Sequence, residues 1–233
     1  MMNEDEQKII LTSGSTGEDS DSNFGTRAAA RDDIKTIGDI SMQVPSTRFD
    51  HFVRDFTRLI DGCASDETQV LSTGRELLSE LIRHDDWLPD QYAQPHPQYY
   101  QQYLLHADPA DRFSVVSFVW GPGQKTPIHN HTVWALIGML RGGERAELFE
   151  VGLPGHPMRP LGVEDLIPGI VESISPRTGD IHRVSNKFED RVSISVHVYG
   201  GNIGRISRHV FDPHTSAPKT FISGYSNEAA SSG

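Results

Sequence analysis

The chain has 233 residues, 23% of them charged and 36% hydrophobic, with a formal net charge of −11. At this length one domain plus a tail is expected, and the acidic balance argues against a general nucleic-acid binder, because phosphate contacts need clustered Lys and Arg. No apolar run is long enough to span a bilayer, and the single cysteine, Cys63, excludes an internal disulfide. The polar start, Met1 to Glu6, lacks the charged-then-apolar layout of a signal peptide, so a cytoplasmic location is the expectation.

Residues 1–40, and Met1 to about Gly38 in particular, are rich in Asp, Glu, Ser, Thr and Gly with almost no apolar period. A segment that buries so little cannot offset its own ordering entropy, and a disordered tail is expected there, with a single domain over 41–233. From about 46 to 84 the texture is helical. Phe49, Phe52, Val53, Phe56, Leu59 and Ile60 recur at helical spacing and Gly62 follows as a stop. Val70, Leu71, Leu77, Leu78, Leu81 and Ile82 form a second helical stretch, with a break expected near Gly74. Trp87 to Tyr103, rich in Pro, Gln and Tyr, reads as an extended connector.

Beyond Arg112 come short β-prone runs: Phe113–Trp120, Trp134–Leu140, Ala146–Val151, Val171–Ile174, Ile181–Val184 and Val192–Tyr199. Turn residues separate them, including Gly121-Pro122-Gly123, Arg141-Gly142-Gly143 and Thr178-Gly179-Asp180. Many short strands with frequent turns indicate a sandwich or barrel. Helices first and strands after predict a mainly β protein, with a small barrel over about 112–223 and helices packed outside it.

His129-Asn130-His131 is the most informative triplet. On a strand, residues two apart face one side, so both imidazoles can point into a barrel, and Pro127 suits the start of such a strand. Alone, an H-x-H among eleven histidines is better explained by surface or packed residues. Its surroundings shift the balance. Gly123 precedes His129 by six residues and Gly142 follows His131 by eleven; downstream come Gly179, His182 and Asn186. This arrangement resembles the two motif blocks of the cupin superfamily, G-x5-H-x-H…G and G-x2-H-x3-N, over roughly Phe113 to Asn186. The resemblance implies a cupin double-stranded β-helix with His182 brought beside the first pair. Many cupins add a Glu ligand shortly after H-x-H, where this chain has Ala135 and Leu136; Glu144 lies past the turn, where it is expected to face solvent. Three neutral imidazoles suit Zn, Cu, Fe or Ni and leave positions open for substrate or water.

Ser195, His197 and Tyr199 alternate on one predicted strand and share a face, with Val196 and Val198 on the other. That polar face must meet water or line a cavity, and the second reading gains because the strand follows that of His182. A three-histidine cupin site followed by S-x-H-x-Y resembles the cysteine dioxygenase type I family of thiol dioxygenases, over about Tyr99 to Asn227. Phe113–Gly123 and Tyr199–Gly204 look like its bacterial branch. The resemblance implies one Fe(II) per chain on His129, His131 and His182, a small thiol and O2 as partners, no nucleic acid or membrane, and oxidation of the thiol to a sulfinic acid. Ser195, His197 and Tyr199 would form the catalytic strand.

Within that family the type preferring 3-mercaptopropionate has a Gln ahead of the barrel and an Arg after the Tyr strand. Gln102 and Arg208 match those positions, with Arg205 as a competing candidate. A guanidinium can hold a carboxylate through two parallel hydrogen bonds. Cysteine is the alternative substrate. No Cys–Tyr crosslink to Tyr199 is expected, since Cys63 lies in the helical region. Ala135 stands where a Gly is expected, and Asn130 where an Asp is common. Two rival readings use the same histidines. One is a metal-binding or ligand-sensing cupin without catalysis. The other is a zinc hydrolase, which would want a carboxylate base beside the ligands; Asp180 is the nearest in sequence and is as readily a turn cap.

Overall fold

Two helices open the described part of the chain, residues 47–63 and 65–228 of a computed structural model; the expected tail, 1–40, lies outside the described residues. Helix α1 (Arg48–Cys63) starts on a reciprocal cap: the Asp50 amide donates to Thr47 Oγ1 (3.1 Å) and the Thr47 amide to Asp50 Oδ2 (2.7 Å). Its Phe52, Phe56 and Ile60, four residues apart, form the buried stripe. The helix runs one residue past Gly62, the expected stop. Helix α2 (Glu67–Ile82) is capped by Asp66, whose carboxylate accepts from the Gln69 amide at 3.0 Å. It is continuous through Gly74, against the expected break. The glycine serves packing: a Cβ there would lie 2.8 Å from Leu136 Cδ1 and 2.9 Å from Phe56 Cε2.

Ten strands follow: β1 (Gln101–Ala107), β2 (Ser114–Trp120), β3 (Ala135–Arg141), β4 (Glu144–Glu150), β5 (Arg159–Leu166), β6 (Val171–Ile174), β7 (His182–Asn186), β8 (Ser193–Tyr199), β9 (Arg208–Phe211) and β10 (Pro218–Phe221). One antiparallel sheet has the order β1-β2-β8-β3-β6, a second β5-β4-β7, and β9 pairs with β10. Isolated bridges from His129 to His182 on one side and to Val210 on the other tie the β9–β10 ribbon to the second sheet. The large sheet is apolar on both faces. Val115, Val119, Leu136, Leu140, Ile194, Val196 and Val198 pack on α1 and α2. The alternate residues Val116, Phe118, Trp120, Ala135 and Tyr199 gather with Val184 of the second sheet. This is the mainly β, double-stranded β-helix with helices outside that the sequence predicts.

The barrel begins earlier than 112. β1 overlaps the end of the connector expected over Trp87–Tyr103 and runs on to Ala107, and β5, β9 and β10 fall outside the predicted strands. β5 carries Pro160 and Gly162 and is exposed over most of its length, so it has no apolar alternation to read; β9 and β10 are four residues each. The segment after β10 covers the edge of β1. Ser226 exchanges hydrogen bonds with Gln102 (amide to Oγ 2.9 Å, Ser226 amide to carbonyl 2.8 Å), and Asn227 does the same with Leu104 (2.9 and 3.0 Å). No helix among the described residues is long and apolar enough to cross a membrane.

Replacing Gly74 by Val should destabilise the fold by about 2–3 kcal/mol through overpacking, read as a lower urea midpoint at unchanged slope. A neutral result would show that α2 can back away from β3.

Candidate metal centre

The segment carrying His129 and His131 is not a strand. Pro127 lacks an amide hydrogen, and the segment pairs only through isolated bridges; at one of them His129 donates to the His182 carbonyl (3.0 Å) and accepts from the His182 amide (3.1 Å). Directly opposed residues in an antiparallel pair carry adjacent side chains, so this bridge puts two imidazoles together. The third comes from the next turn. The Asp180 carboxylate accepts from the amides of His131 (2.9 Å) and Thr132 (3.0 Å), fixing a bend in which Thr132 has φ 61°. The three rings then sit 4.9 Å apart, centroid to centroid, in every pairing.

His129, His131 and His182 are buried, and one potential ligand atom from each lies within 4.8 Å of the others. Burial, reinforced for His129 and His131 by neighbouring cationic groups, holds both rings well below the usual histidine range; burial alone brings His182 to about 4. All three are therefore neutral at pH 7, with lone pairs to offer. The Pro127 carbonyl lies 3.1 Å from His129 Nδ1 and fixes that ring's orientation, while His131 Nδ1 is buried with no hydrogen-bond partner. Three converging neutral imidazoles with an orphaned nitrogen fit a transition-metal ion.

The polar face of β8 lines the interior. Ser195, His197 and Tyr199 are buried and linked: Ser195 Oγ lies 2.8 Å from His197 Nε2, and His197 Nδ1 lies 2.9 Å from the Tyr199 hydroxyl. The Tyr199 ring is 5.8 Å from that of His131. Burial lowers His197 to about 3 and raises Tyr199 well above the usual phenol range. The chain has one more member. Glu144 does not face solvent; it is buried, accepts from Ser195 Oγ, and is pushed up to about 7, chiefly by burial. Alternation could have found it, since Glu144 shares a face of β4 with Ala146 and Leu148.

A small cavity of about 30 Å³ is lined by His129 together with Tyr100, Gln102, Phe118, Tyr199 and Arg208, among others. Space of that order admits only a few atoms. Arg208 is buried, whereas Arg205 is exposed in a short 3-10 turn. The Arg208 guanidinium lies 4.7 Å above the Phe221 ring. Its Nη2 donates to Ser223 Oγ at 2.7 Å, and its Nε is buried without a partner. Gln102 Nε2 donates to Ser223 Oγ (3.0 Å) and to the Gly224 carbonyl (2.9 Å). Gln102 and Arg208 thus meet through Ser223, a residue with no sequence signal of its own.

Of the remaining expectations, Ala135 is the cross-strand partner of Tyr199. Asn130 Oδ1 accepts from the His209 amide at 2.8 Å and so joins the loop to β9. The Cys63 thiol donates to the Leu59 carbonyl at the end of α1.

No family model matches the chain. Among solved structures it is similar to an uncharacterized conserved protein with a double-stranded beta-helix domain from Klebsiella pneumoniae (19% identity over 52% of this chain and 88% of that one, TM-score 0.40). It is also similar to a cupin superfamily protein from Desulfitobacterium hafniense (14%, 51% and 94%, TM-score 0.39). A third is a cupin 2 conserved barrel domain protein from Rhodopseudomonas palustris (17%, 48% and 67%, TM-score 0.37). All three are similarities at low sequence identity.

Substituting His182 by Ala should abolish metal retention in a dialysed sample assayed by elemental analysis. Asp180→Ala, which frees the His131 backbone, should weaken metal affinity about 10–100-fold without unfolding the protein. Unchanged affinity in a competition titration would remove Asp180 from the support of the centre.

Proposed function

We propose that this chain is a non-haem Fe(II) thiol dioxygenase that oxidises a small carboxylate-bearing thiol to its sulfinic acid with O2, 3-mercaptopropionate first and cysteine as the alternative. The observation that carries the reading is one buried polar site with three arms: the imidazole triad, the hydrogen-bonded Ser195–His197–Tyr199 chain beside it, and a buried Arg208 with an unused donor. A binding pocket alone has no need of a phenol held in place by two further buried polar residues.

Arg208 argues for an anion. Its surroundings are Tyr100, Tyr199 and Tyr225, and no carboxylate among the described residues raises its charge stability. A buried charge without a counter-charge is costly, and a bound carboxylate would offset that cost while accepting from the open Nε. Ser223, itself positioned by Gln102, accepts from the guanidinium; Phe118 and Phe221 supply apolar wall around a small cavity. Tyr199 keeps its proton, given its raised pKa, so its hydroxyl can hold or hand over a proton at its oxygen. When bound, ferrous iron supplies the redox chemistry joining thiol sulfur to O2. A zinc hydrolase would want a carboxylate at the metal. Asp180 is engaged with two backbone amides, and Glu144 contacts Ser195.

The test is anaerobic reconstitution with Fe(II), then oxygen uptake with 3-mercaptopropionate, cysteine and cysteamine in parallel. Uptake coupled to sulfinate formation, with the carboxylate-bearing thiols preferred over cysteamine, is expected; no uptake with any thiol despite bound iron would overturn the reading. Arg208→Ala should raise KM about 10–150-fold, from the loss of about 1.5–3 kcal/mol of charge-assisted hydrogen bonding, at unchanged iron content.

A further inference from the structure

Glu144 is the one buried carboxylate of the β8 chain and has no role in the chemistry described so far. The groups packed against it are Trp120 from β2, Ser195 and, beyond it, His197 from β8, with Glu172 of β6 near enough to oppose its charge. No Lys or Arg among the described residues stabilises its ionised form. Each atom of the chain has limited options. The Trp120 indole can only donate, and does so to Ser195 Oγ at 3.3 Å. Ser195 Oγ has one proton, and a neutral His197 has one ring proton and one lone pair. The direction of every hydrogen bond therefore follows from the state of one end.

With Glu144 ionised, Ser195 must donate to it, His197 must donate from Nε2 to Ser195, and Tyr199 must donate to His197 Nδ1. The phenolic lone pairs then face the cavity. With Glu144 protonated, the whole set reverses. Glu144 donates to Ser195, Ser195 to His197 Nε2, and His197 Nδ1–H to the Tyr199 oxygen, which leaves the phenolic proton directed at the cavity. From this we propose that Glu144 is the positioning residue that sets whether Tyr199 presents a proton or a lone pair to a bound ligand.

Passage from the second state to the first delivers one proton. The Glu144 proton moves to Ser195 Oγ, that of Ser195 to His197 Nε2, that of His197 Nδ1 to the Tyr199 oxygen, and the original phenolic proton to a basic atom of the ligand. Four bonds to hydrogen break and four form; the products are a Glu144 carboxylate, the opposite His197 tautomer and a protonated ligand. Neither the imidazolium of His197 nor the phenolate of Tyr199 need accumulate, consistent with the depressed His197 and raised Tyr199. Because Glu144 sits near 7, both polarities are populated around neutral pH, the donor form below and the acceptor form above. The relay is independent of the substrate; its service to thiol oxidation rests on the function proposed above.

Histidine ring-nitrogen NMR of the full-length protein, metal-free and zinc-loaded, tests this directly. Between about pH 5 and pH 9 the His197 proton should pass from Nδ1 to Nε2 with a midpoint near that of Glu144, without the ring becoming charged. In Glu144→Gln the pH dependence should vanish, and in Ser195→Ala, which cuts the relay at its middle, His197 should hold one tautomer throughout. A single tautomer at all pH values in the unaltered protein, or an unchanged transition in Glu144→Gln, would overturn the proposal. Since the readout is a ring nitrogen and not turnover, failure of thiol oxidation would be distinguishable from failure of the relay.

Discussion

The double pairing of His129 is the constraint on which the rest of the site depends. One residue, bonded through its backbone to β7 and bridged to β9, sets three things together. It opposes His129 to His182, so two ligands come from one antiparallel pair. It fixes the start of the bend that Asp180 completes for His131. It also docks β9, and with it Arg208, against the second sheet. The distance between the histidine triad and Arg208 is thus set through backbone hydrogen bonds of paired segments.

Burying so many polar groups is tolerable only where they are satisfied, because an orphaned buried donor or acceptor costs about 1–3 kcal/mol. Among the described residues, the buried side-chain atoms without a partner are His131 Nδ1, Arg208 Nε and, away from the site, His106 Nε2. Two of the three thus belong to residues of the candidate centre. The polar atoms further from it, Glu144, Ser195 and Asn186, are bonded within the protein. A rigid, satisfied outer layer around an unsatisfied inner one is the arrangement expected of a site that completes itself with an ion and an anionic ligand.

Much of this was legible in the sequence, for identifiable reasons. Six strands and both helices carry strong periodicity; H-x-H and the later His182 stand out through their resemblance to the cupin motif blocks, and Ser195, His197 and Tyr199 through their alternation. Local signals failed where tertiary contact decides. Gly74 reads as a breaker and is instead the point where α2 touches β3. The exposed β5 and the short β9 and β10 exist through their ladder partners. Glu144 is expected at the surface because it lies past the turn and ahead of the predicted run Ala146–Val151, whereas β4 begins at Glu144 itself. Ser223 carries no local signal, since its place between Gln102 and Arg208 arises from the segment after β10 folding back on β1.

The central claim is that the imidazole triad holds iron with a position open to a thiol at the Arg208 end of the cavity. X-ray absorption at the iron edge, on the Fe(II)-loaded full-length protein before and after anaerobic addition of 3-mercaptopropionate, tests it most directly. The account predicts imidazole scattering in both samples and a new sulfur scatterer in the second, absent in Arg208→Ala at the same thiol concentration. Iron without imidazole scattering, or no sulfur at saturating thiol, would contradict it.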